Sequence, residues 1–371
     1  MKLTIKKDVL IENLNNVSRA LSTRNIIPVL NGIKFELNKD GLTLTATDAD
    51  LTIKSFIDKK EIMEIEEEGT LIIIGKFLLE IIRKLPDEFI KIEDLDGKKA
   101  IIKTNNSKYD LNCFDLNDYP NIDLTEDEQP IKLDALVFKE FINQTSFAAS
   151  TQESRPLLTG INLNINEDKF ECIATDSYRL AKKEIKLASK MKNLNVVIPS
   201  KNVNELIKII EDEEEVRLSI FNNKIIFGYK NILFQSSLLN GSYPNTENLI
   251  PKTFEIEVEA KTSEFYDVID RASLLTQAKE KNIIQLEIKD NNIFVTSQSA
   301  EIGKVEETMN CVNLSNKSIV ISFSAKYMLD AIKTINGDTI LIKLNGDIKP
   351  IIVKDKNNND LTQLILPIKT Y

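Results

Sequence analysis

The chain has 371 residues, and 48 Lys and Arg against 57 Asp and Glu give it a formal charge of −9 with no histidine. The missing histidine excludes Ser–His and Cys–His nucleophilic catalysis and every His-ligated metal centre. Eleven glycines with no G-x-G-x-x-G and no G-x-x-x-x-G-K-[ST] argue against a phosphate-cradling nucleotide loop, while 42% apolar and 28% charged residues suit a folded chain of two or three domains.

Residues 1–10 alternate and carry charge without an apolar segment, so export by a standard signal is not expected. Val9, Leu10, Leu14, Val17 and Leu21 recur at helical spacing and predict a helix over 8–24. NIIPVLNGIKFELNKDGLTLTATD at 25–48 reads as a turn and two alternating strands. The acidic run 64–68 reads as a solvated loop, because contiguous like charges repel. At 71–86, LIIIGKFLLEIIRKLP is a β-branched run feeding a helix over 75–85, and polar turns then separate strands at 89–94, 100–104 and 109–114. Residues 118–130 hold two prolines and no periodicity, which marks a linker.

The same order then begins again. Leu136, Val137, Phe141 and Phe147 predict a helix over 136–149, followed by SRPLLTGINLNINEDKFECIATD at 154–176. Pro156 minus Pro28 and Asp176 minus Asp48 both give 128, so two anchors share one offset. A helix over 200–210, a second acidic run at 211–215 read as loop, and a second linker at 241–253 complete this copy. In a third copy Phe265, Val268, Ile269, Ala272 and Leu275 lie in a helix over 261–278, a worn anchor spans 281–299, and a last helix covers 325–335. Such repeats must be settled before any fold is proposed. They give an α+β protein of three repeated domains, 1–122, 130–252 and 254–371, each made of two βαβββ units. Cys113, Cys172 and Cys311 are too far apart for a C-x-x-C element and read as buried apolar thiols in a reducing compartment. No run reaches the ~18 apolar residues of a membrane-spanning helix.

Exposed strand edges favour closure of such an array into a ring. Helices lining the inside at about 10 Å each leave about 9 Å clear for one chain and about 28 Å for two. Duplex DNA exceeds about 16 Å in width, so only a dimer could admit it. The six predicted helices carry 12 Lys and Arg against 9 Asp and Glu, an excess of +3 that leaves −12 elsewhere. That segregation has the sign of a pore for a polyanion.

In order, IPVLNGI, ATD, RPLLTGI, ATDSYRLA, IPSKNVNEL, SYPNTENLIP and LILPIKTY resemble the bacterial DNA polymerase III beta subunit family, the replicative sliding clamps, across essentially the whole chain. The resemblance implies DNA-clamp domains, a head-to-tail homodimer closing a six-domain ring with helices lining the pore, and sequence-independent enclosure of duplex DNA. It also implies a processivity factor with no catalytic residue, cofactor or metal, loaded by an ATP-driven clamp loader. The replicative DNA polymerase alpha subunit and other clamp-binding-motif proteins are the implied partners, in the cytoplasm and away from membrane.

By motif, the resemblance places a partner-peptide pocket at Leu158, Thr175, Ser177, Tyr178, Arg179, Leu180, Pro244, Asn248, Leu249, Ile348, Pro350, Leu366, Pro367 and Ile368. Aliphatic walls can bury a partner's Leu or Phe while a few polar groups orient it. The family commonly has Gly-His where this chain has Ser177-Tyr178, and often a basic residue in place of Asn248. DNA contacts map to Arg24, Gln152, Arg155, Lys201, Lys279 and Lys281, which can meet phosphates without reading bases. Ring closure would set Lys76, Lys108, Tyr109 and Leu111 against Leu274, Leu275, Glu301, Glu306 and Glu307 of the other subunit. A non-enzymatic repeat scaffold that never encloses DNA is the alternative. Asp48 and Asp176 recur at equivalent positions, which points to a turn role and not to an acid/base pair.

Overall fold

A computed structural model describes residues 1–21, 27–276 and 282–369, except for the side chain of Lys192. Six α-helices appear among these residues: α1 (Lys7–Val17), α2 (Gly75–Lys84), α3 (Ala135–Asn143), α4 (Ser200–Leu206), α5 (Thr262–Ser273) and α6 (Ala325–Ile332). Each is shorter than its apolar periodicity predicts, because the chain turns or extends at its end, as in the 3-10 turn Ser18–Ala20 after α1 and the extended Leu85 after α2. The shortening overturns the charge argument. Within the observed bounds the helices hold eight Lys and Arg against nine Asp and Glu. Arg19, Lys208, Lys261 and Lys333 fall just outside them, three of these beyond C-terminal ends, where exposed carbonyls favour cations.

Four of the helices, α1, α2, α5 and α6, start without a side-chain cap of the kind a sequence search looks for. Strand Lys2–Lys6 runs directly into α1, whose first amide, Lys7 N, donates to Glu88 O at 2.7 Å. Ala135 N does the same to Glu214 O at 3.0 Å and Thr262 N to Asp338 O at 2.9 Å. In all three repeats a backbone carbonyl just ahead of a later strand takes the first helical amide, and at α3 Asp134 Oδ1 also accepts from Val137 N at 3.1 Å. Gly75, the first residue of α2, sits in close packing: a Cβ there would lie 2.4 Å from Leu21 Cδ1 and 3.0 Å from Ile33 Cγ1, so those side chains would have to shift.

The chain divides into two compact units, Met1–Phe138 with Asn202–Leu238, and Lys139–Lys201 with Leu239–Tyr371. The middle repeat is therefore shared out, its boundaries falling inside α3 and α4. In the first unit a five-stranded antiparallel sheet runs Ile62–Glu67, Lys2–Lys6, Phe89–Leu95, Lys99–Lys103, Lys108–Asn112. Its eight-stranded sheet runs Ile131–Asp134, Glu215–Phe221, Lys224–Tyr229, Ile232–Ser237, Leu51–Asp58, Gly41–Thr47, Gly32–Asn38, Gly69–Ile74. The second unit has a seven-stranded sheet, Gly160–Thr175, Arg179–Pro199, Leu361–Ile365, Ile351–Asp355, Thr339–Leu344, Ile256–Lys261, Val312–Asn313. Its four-stranded sheet is Gly303–Asn310, Asn292–Ser299, Ile283–Lys289, Ile319–Ser324.

Apolar side chains fill the space between helices and sheets. Phe138 packs against Phe227, which meets Phe234, in the first unit. Phe141 packs on Phe170 in the second, where Phe265, Ile269, Met328 and Ile332 of α5 and α6 join the strand residues of a large core. The acidic run at 64–68 is a correction: it lies largely on the edge strand Ile62–Glu67, paired with Lys2–Lys6, and not in a loop. Glu66 is tolerated there because Lys2 and Lys91 reach it at 2.6 and 2.5 Å, and their hydrogen bonds hold its carboxyl below the usual range. All three cysteines are free, with Cys172 and Cys311 buried and Cys113 partly so.

Candidate functional site

The repeated Thr-Asp builds the same turn twice. Asp48 Oδ1 accepts from Asp50 N and Leu51 N, and Asp176 Oδ1 from Tyr178 N and Arg179 N, all within 2.7–3.0 Å. Thr47 and Thr175 hydroxyls accept from Ala49 N and Ser177 N. Both carboxylates are thus committed to backbone amides, as a turn role requires. The turns force a left-handed residue, Ala49 at φ 80° and Ser177 at φ 78°, a conformation that glycine adopts at no steric cost.

Around the second turn, several of the pocket positions come together within the second unit. Arg179 lies opposite Ile365 and Leu180 opposite Leu364 in the sheet. Leu366 N donates to Tyr178 O at 2.9 Å, which fastens the C-terminal segment beside the turn. Leu180, Leu364, Ile173 and Ile352 form an apolar cluster covered by Tyr243, Ile250 and Phe254 of the linker. Burial pushes the Tyr243 phenol well above its ordinary range, leaving it a neutral acceptor for Thr175 N at 3.0 Å. Leu158, Thr175 and Leu180 are buried, whereas Tyr178, Leu249, Ile348 and Leu366 expose large apolar surface. Ser177, Pro244 and Asn248 are exposed or nearly so, and Pro350, Pro367 and Ile368 half-buried.

Arg179 is a hub that motif matching alone does not reveal. Its guanidinium donates to Asp176 Oδ2 at 3.1 Å, Asp330 Oδ2 at 2.6 Å and Phe147 O at 2.8 Å. It also stacks 4.6 Å from the Tyr327 ring centroid and 5.3 Å from that of Phe147. Phe147, Tyr327 and Asp330 were not among the expected site residues. Tyr327 and Asp330 stand three apart on α6, the spacing that puts two side chains on one helix face.

Of the expected DNA contacts, Arg24, Lys279 and Lys281 lie outside the described residues. Gln152 and Arg155 sit on an exposed loop, where Arg155 Nη1 donates to Ser177 Oγ at 3.1 Å, and Lys201 is exposed in the first turn of α4. The expected subunit contacts fall largely on two sheet edges. Lys108, Tyr109 and Leu111 lie on Lys108–Asn112, which ends the five-stranded sheet; Glu306 and Glu307 lie on Gly303–Asn310, which ends the four-stranded one. Tyr109 on the first edge, Leu274 at the end of α5 and Ile302 just before the second edge strand are exposed. Arg271 grips Glu307 with two bonds of 2.9 Å, and the first of these effects, hydrogen bonding, holds that carboxyl below its usual range. Lys76 and Glu301 are exposed and Leu275 is half-buried.

Comparison with known proteins decides the family. Residues 1–123, 132–245 and 247–369 match, in order, the N-terminal, central and C-terminal domains of the DNA polymerase III beta subunit. The chain belongs to that family. The beta sliding clamp of Bacillus subtilis is 40% identical over 378 residues, covering 100% of both chains. Among solved structures, the sliding clamp from Bacillus subtilis superposes with a TM-score of 0.96 at 39% identity, and the beta chain from Streptococcus pneumoniae with 0.95 at 30%, each covering 100% of both chains. The chain is accordingly a DNA polymerase processivity clamp, a non-catalytic accessory subunit.

Proposed function

We propose that two copies of this clamp close head-to-tail into a six-domain ring around duplex DNA, with the three repeats bounded at 1–122, 130–252 and 254–371. The observation that carries this reading is a strand junction made twice. Leu51 lies opposite Ser236 through to Ser55 opposite Ile232, and Arg179 opposite Ile365 through to Lys183 opposite Leu361. Each time, the strand leaving the Asp turn of one repeat pairs with the last strand of the next. Gly303–Asn310 and Lys108–Asn112 are the remaining members of the two sets, and both are unpaired edges. An exposed edge is a template for another chain.

Following the ladders from equivalent helix starts transfers the register. It sets Gly303 of one copy opposite Leu111 of the other, Lys304 opposite Asp110, Val305 opposite Tyr109 and Glu306 opposite Lys108. Both charged pairs are then complementary. In the single chain those charges pair along their own strands, Lys304 with Glu306 and Lys108 with Asp110 at 3.5 Å, so closure exchanges neighbours without stranding a charge.

Within the ring, Gln152, Arg155 and Lys201, with Arg24, Lys279 and Lys281, would meet phosphates without reading bases. The surface around Tyr178, Leu249, Ile348 and Leu366 would take an apolar side chain from a linear peptide of the polymerase, clamp loader or other partner. This places the protein in the cytoplasm, on the nucleoid during replication. The test is topological: the protein, loaded on nicked circular DNA, should sediment with it and be released on linearisation, with a solution mass of two chains. A monomer, or retention indifferent to linearisation, would refute the ring.

A further inference from the structure

Four Asn-Gly pairs occur in the chain, Asn31-Gly32, Asn240-Gly241, Asn336-Gly337 and Asn345-Gly346, each preceded by Leu or Ile. In such a pair the glycine nitrogen can close on the asparagine side chain, since no Cβ stands in its way. The fold holds three of them back. Gly32 is buried and its N–H donates to Val29 O as the chain enters its strand. Asn345 is clamped at both ends of its amide: Oδ1 accepts from Glu255 N at 2.8 Å and Nδ2 donates to Thr253 O at 2.6 Å. Asn336 Nδ2 donates to Glu140 Oε1 at 3.3 Å, and the Asp355 carboxylate crowds Gly337, its oxygens 2.4 and 2.5 Å from where a Cβ would stand. A negative charge there opposes loss of the glycine amide proton. Asn240-Gly241 is different. Both residues are exposed, and among the described residues neither the Asn240 side chain nor the Gly241 N–H has a hydrogen-bond partner. The pair hangs between two fixed points: Leu239 N donates to Val197 O at 2.8 Å, and the Tyr243 hydroxyl accepts from Thr175 N at 3.0 Å.

We propose that Asn240 is a self-modification site, at which the chain deamidates ahead of its other Asn-Gly pairs. Hydroxide takes the Gly241 amide proton, the nitrogen attacks Asn240 Cγ and a C–N bond forms. The bond from Cγ to the side-chain nitrogen breaks, and that nitrogen leaves as ammonia with a proton from water. Water then opens the cyclic imide at either carbonyl, breaking one ring C–N bond and leaving aspartate or isoaspartate. The sum is asparagine plus water giving a carboxylic acid plus ammonia, with no oxidant or reductant. Gly241 sits at φ 126°, a region that glycine enters at no steric cost, so the backbone itself keeps the reactive partner in place. Isoaspartate carries the main chain through its side-chain carbon, one atom longer, in the short stretch that seats Tyr243 over the apolar cluster of Leu180 and Leu364. The added charge and slack would loosen the linker ahead of Leu249, a consequence for partners that rests on the reading of the site above.

Peptide mass spectrometry of the full chain, aged at about pH 8.5, tests the inference without reference to DNA or partners. Conversion of amide to acid is followed at all four pairs, and labelling by an isoaspartyl methyltransferase reports the isomer. Asn240 should convert ahead of Asn345 by a factor on the order of 5 to 100, because two hydrogen bonds must break before the Asn345 amide can turn. Asn336, held by one exposed bond, should fall between them. In concentrated urea the four pairs keep only their similar sequence neighbours, and the lead should collapse. Conversion of Asn31 or Asn345 as fast as Asn240 in the folded chain, or a lead that survives unfolding, would overturn the proposal.

Discussion

Lys108→Glu tests the proposed subunit register most directly. In the transferred register Lys108 faces Glu306 across the new strand pair, and both are well exposed. Losing an exposed attraction costs about 0.2–1 kcal/mol, and setting like charges opposite one another on adjacent strands adds a penalty of similar size. That makes roughly 0.5–2 kcal/mol per interface. A closed dimer has two interfaces, so the total is about 1–4 kcal/mol, or a dimer dissociation constant raised from about fivefold to several hundredfold. Sedimentation equilibrium at low salt measures it, and the effect should fall at 0.5 M salt as the charges are screened. Adding Glu306→Lys to the same chain reverses both partners in both interfaces and should recover most of the affinity. Rescue by Glu301→Lys instead, or no weakening by Lys108→Glu, would refute the register.

Arg179→Met leaves Asp176 and Asp330 without their shared cation; because Arg179 is only 11% exposed, the loss should be about 2–4 kcal/mol in urea unfolding. Arg179→Lys should not restore it, since an ammonium cannot make the forked bonds or stack on Tyr327. Ser177→Gly should raise stability by about 0.5–1 kcal/mol by relieving its left-handed backbone, less the single exposed bond from Arg155, as read by thermal melting. At high pH the thiols matter: burial raises Cys113 to about 11 and Cys172 to about 12 from an ordinary 9.0. Protons held more tightly in the folded state give stability that is complete below pH 9 and lost as pH climbs through 11 and 12. Denaturation midpoints should therefore decline above pH 9, and Cys172→Ala should flatten the decline.

Much of the architecture was legible because the repeats state it redundantly. The 128-residue offset located turns that prove identical down to the acceptor atoms on Thr47 and Thr175, and Asp48 and Asp176 do the backbone work their recurrence suggested. Helix ends were not legible, because Lys7, Ala135 and Thr262 are capped by carbonyls distant in sequence. The positive helix excess was lost chiefly at the C-terminal ends, beyond which Arg19, Lys208 and Lys333 fall. The acidic run at 64–68 was misread as loop because its stabilising cations, Lys2 and Lys91, come from other parts of the chain. Motif matching found Arg179 but not what it grips: Phe147 O, Asp330 and the Tyr327 ring are assembled by the fold alone.

The division of the middle repeat between two units bears on how the chain is made. Leu51–Asp58 leaves the ribosome early, yet its sheet neighbour Ile232–Ser237 follows nearly two hundred residues later. Arg179–Pro199 likewise waits for Leu361–Ile365, more than 160 residues further along the chain. During translation each sheet therefore has a waiting edge, and one nascent chain presents to its neighbours on a polysome the same kind of open strand by which two finished chains would join. Early dimerisation through the wrong edge is the error such a sequence must avoid. A fragment confined to the middle repeat lacks both completing strands and should not fold by itself.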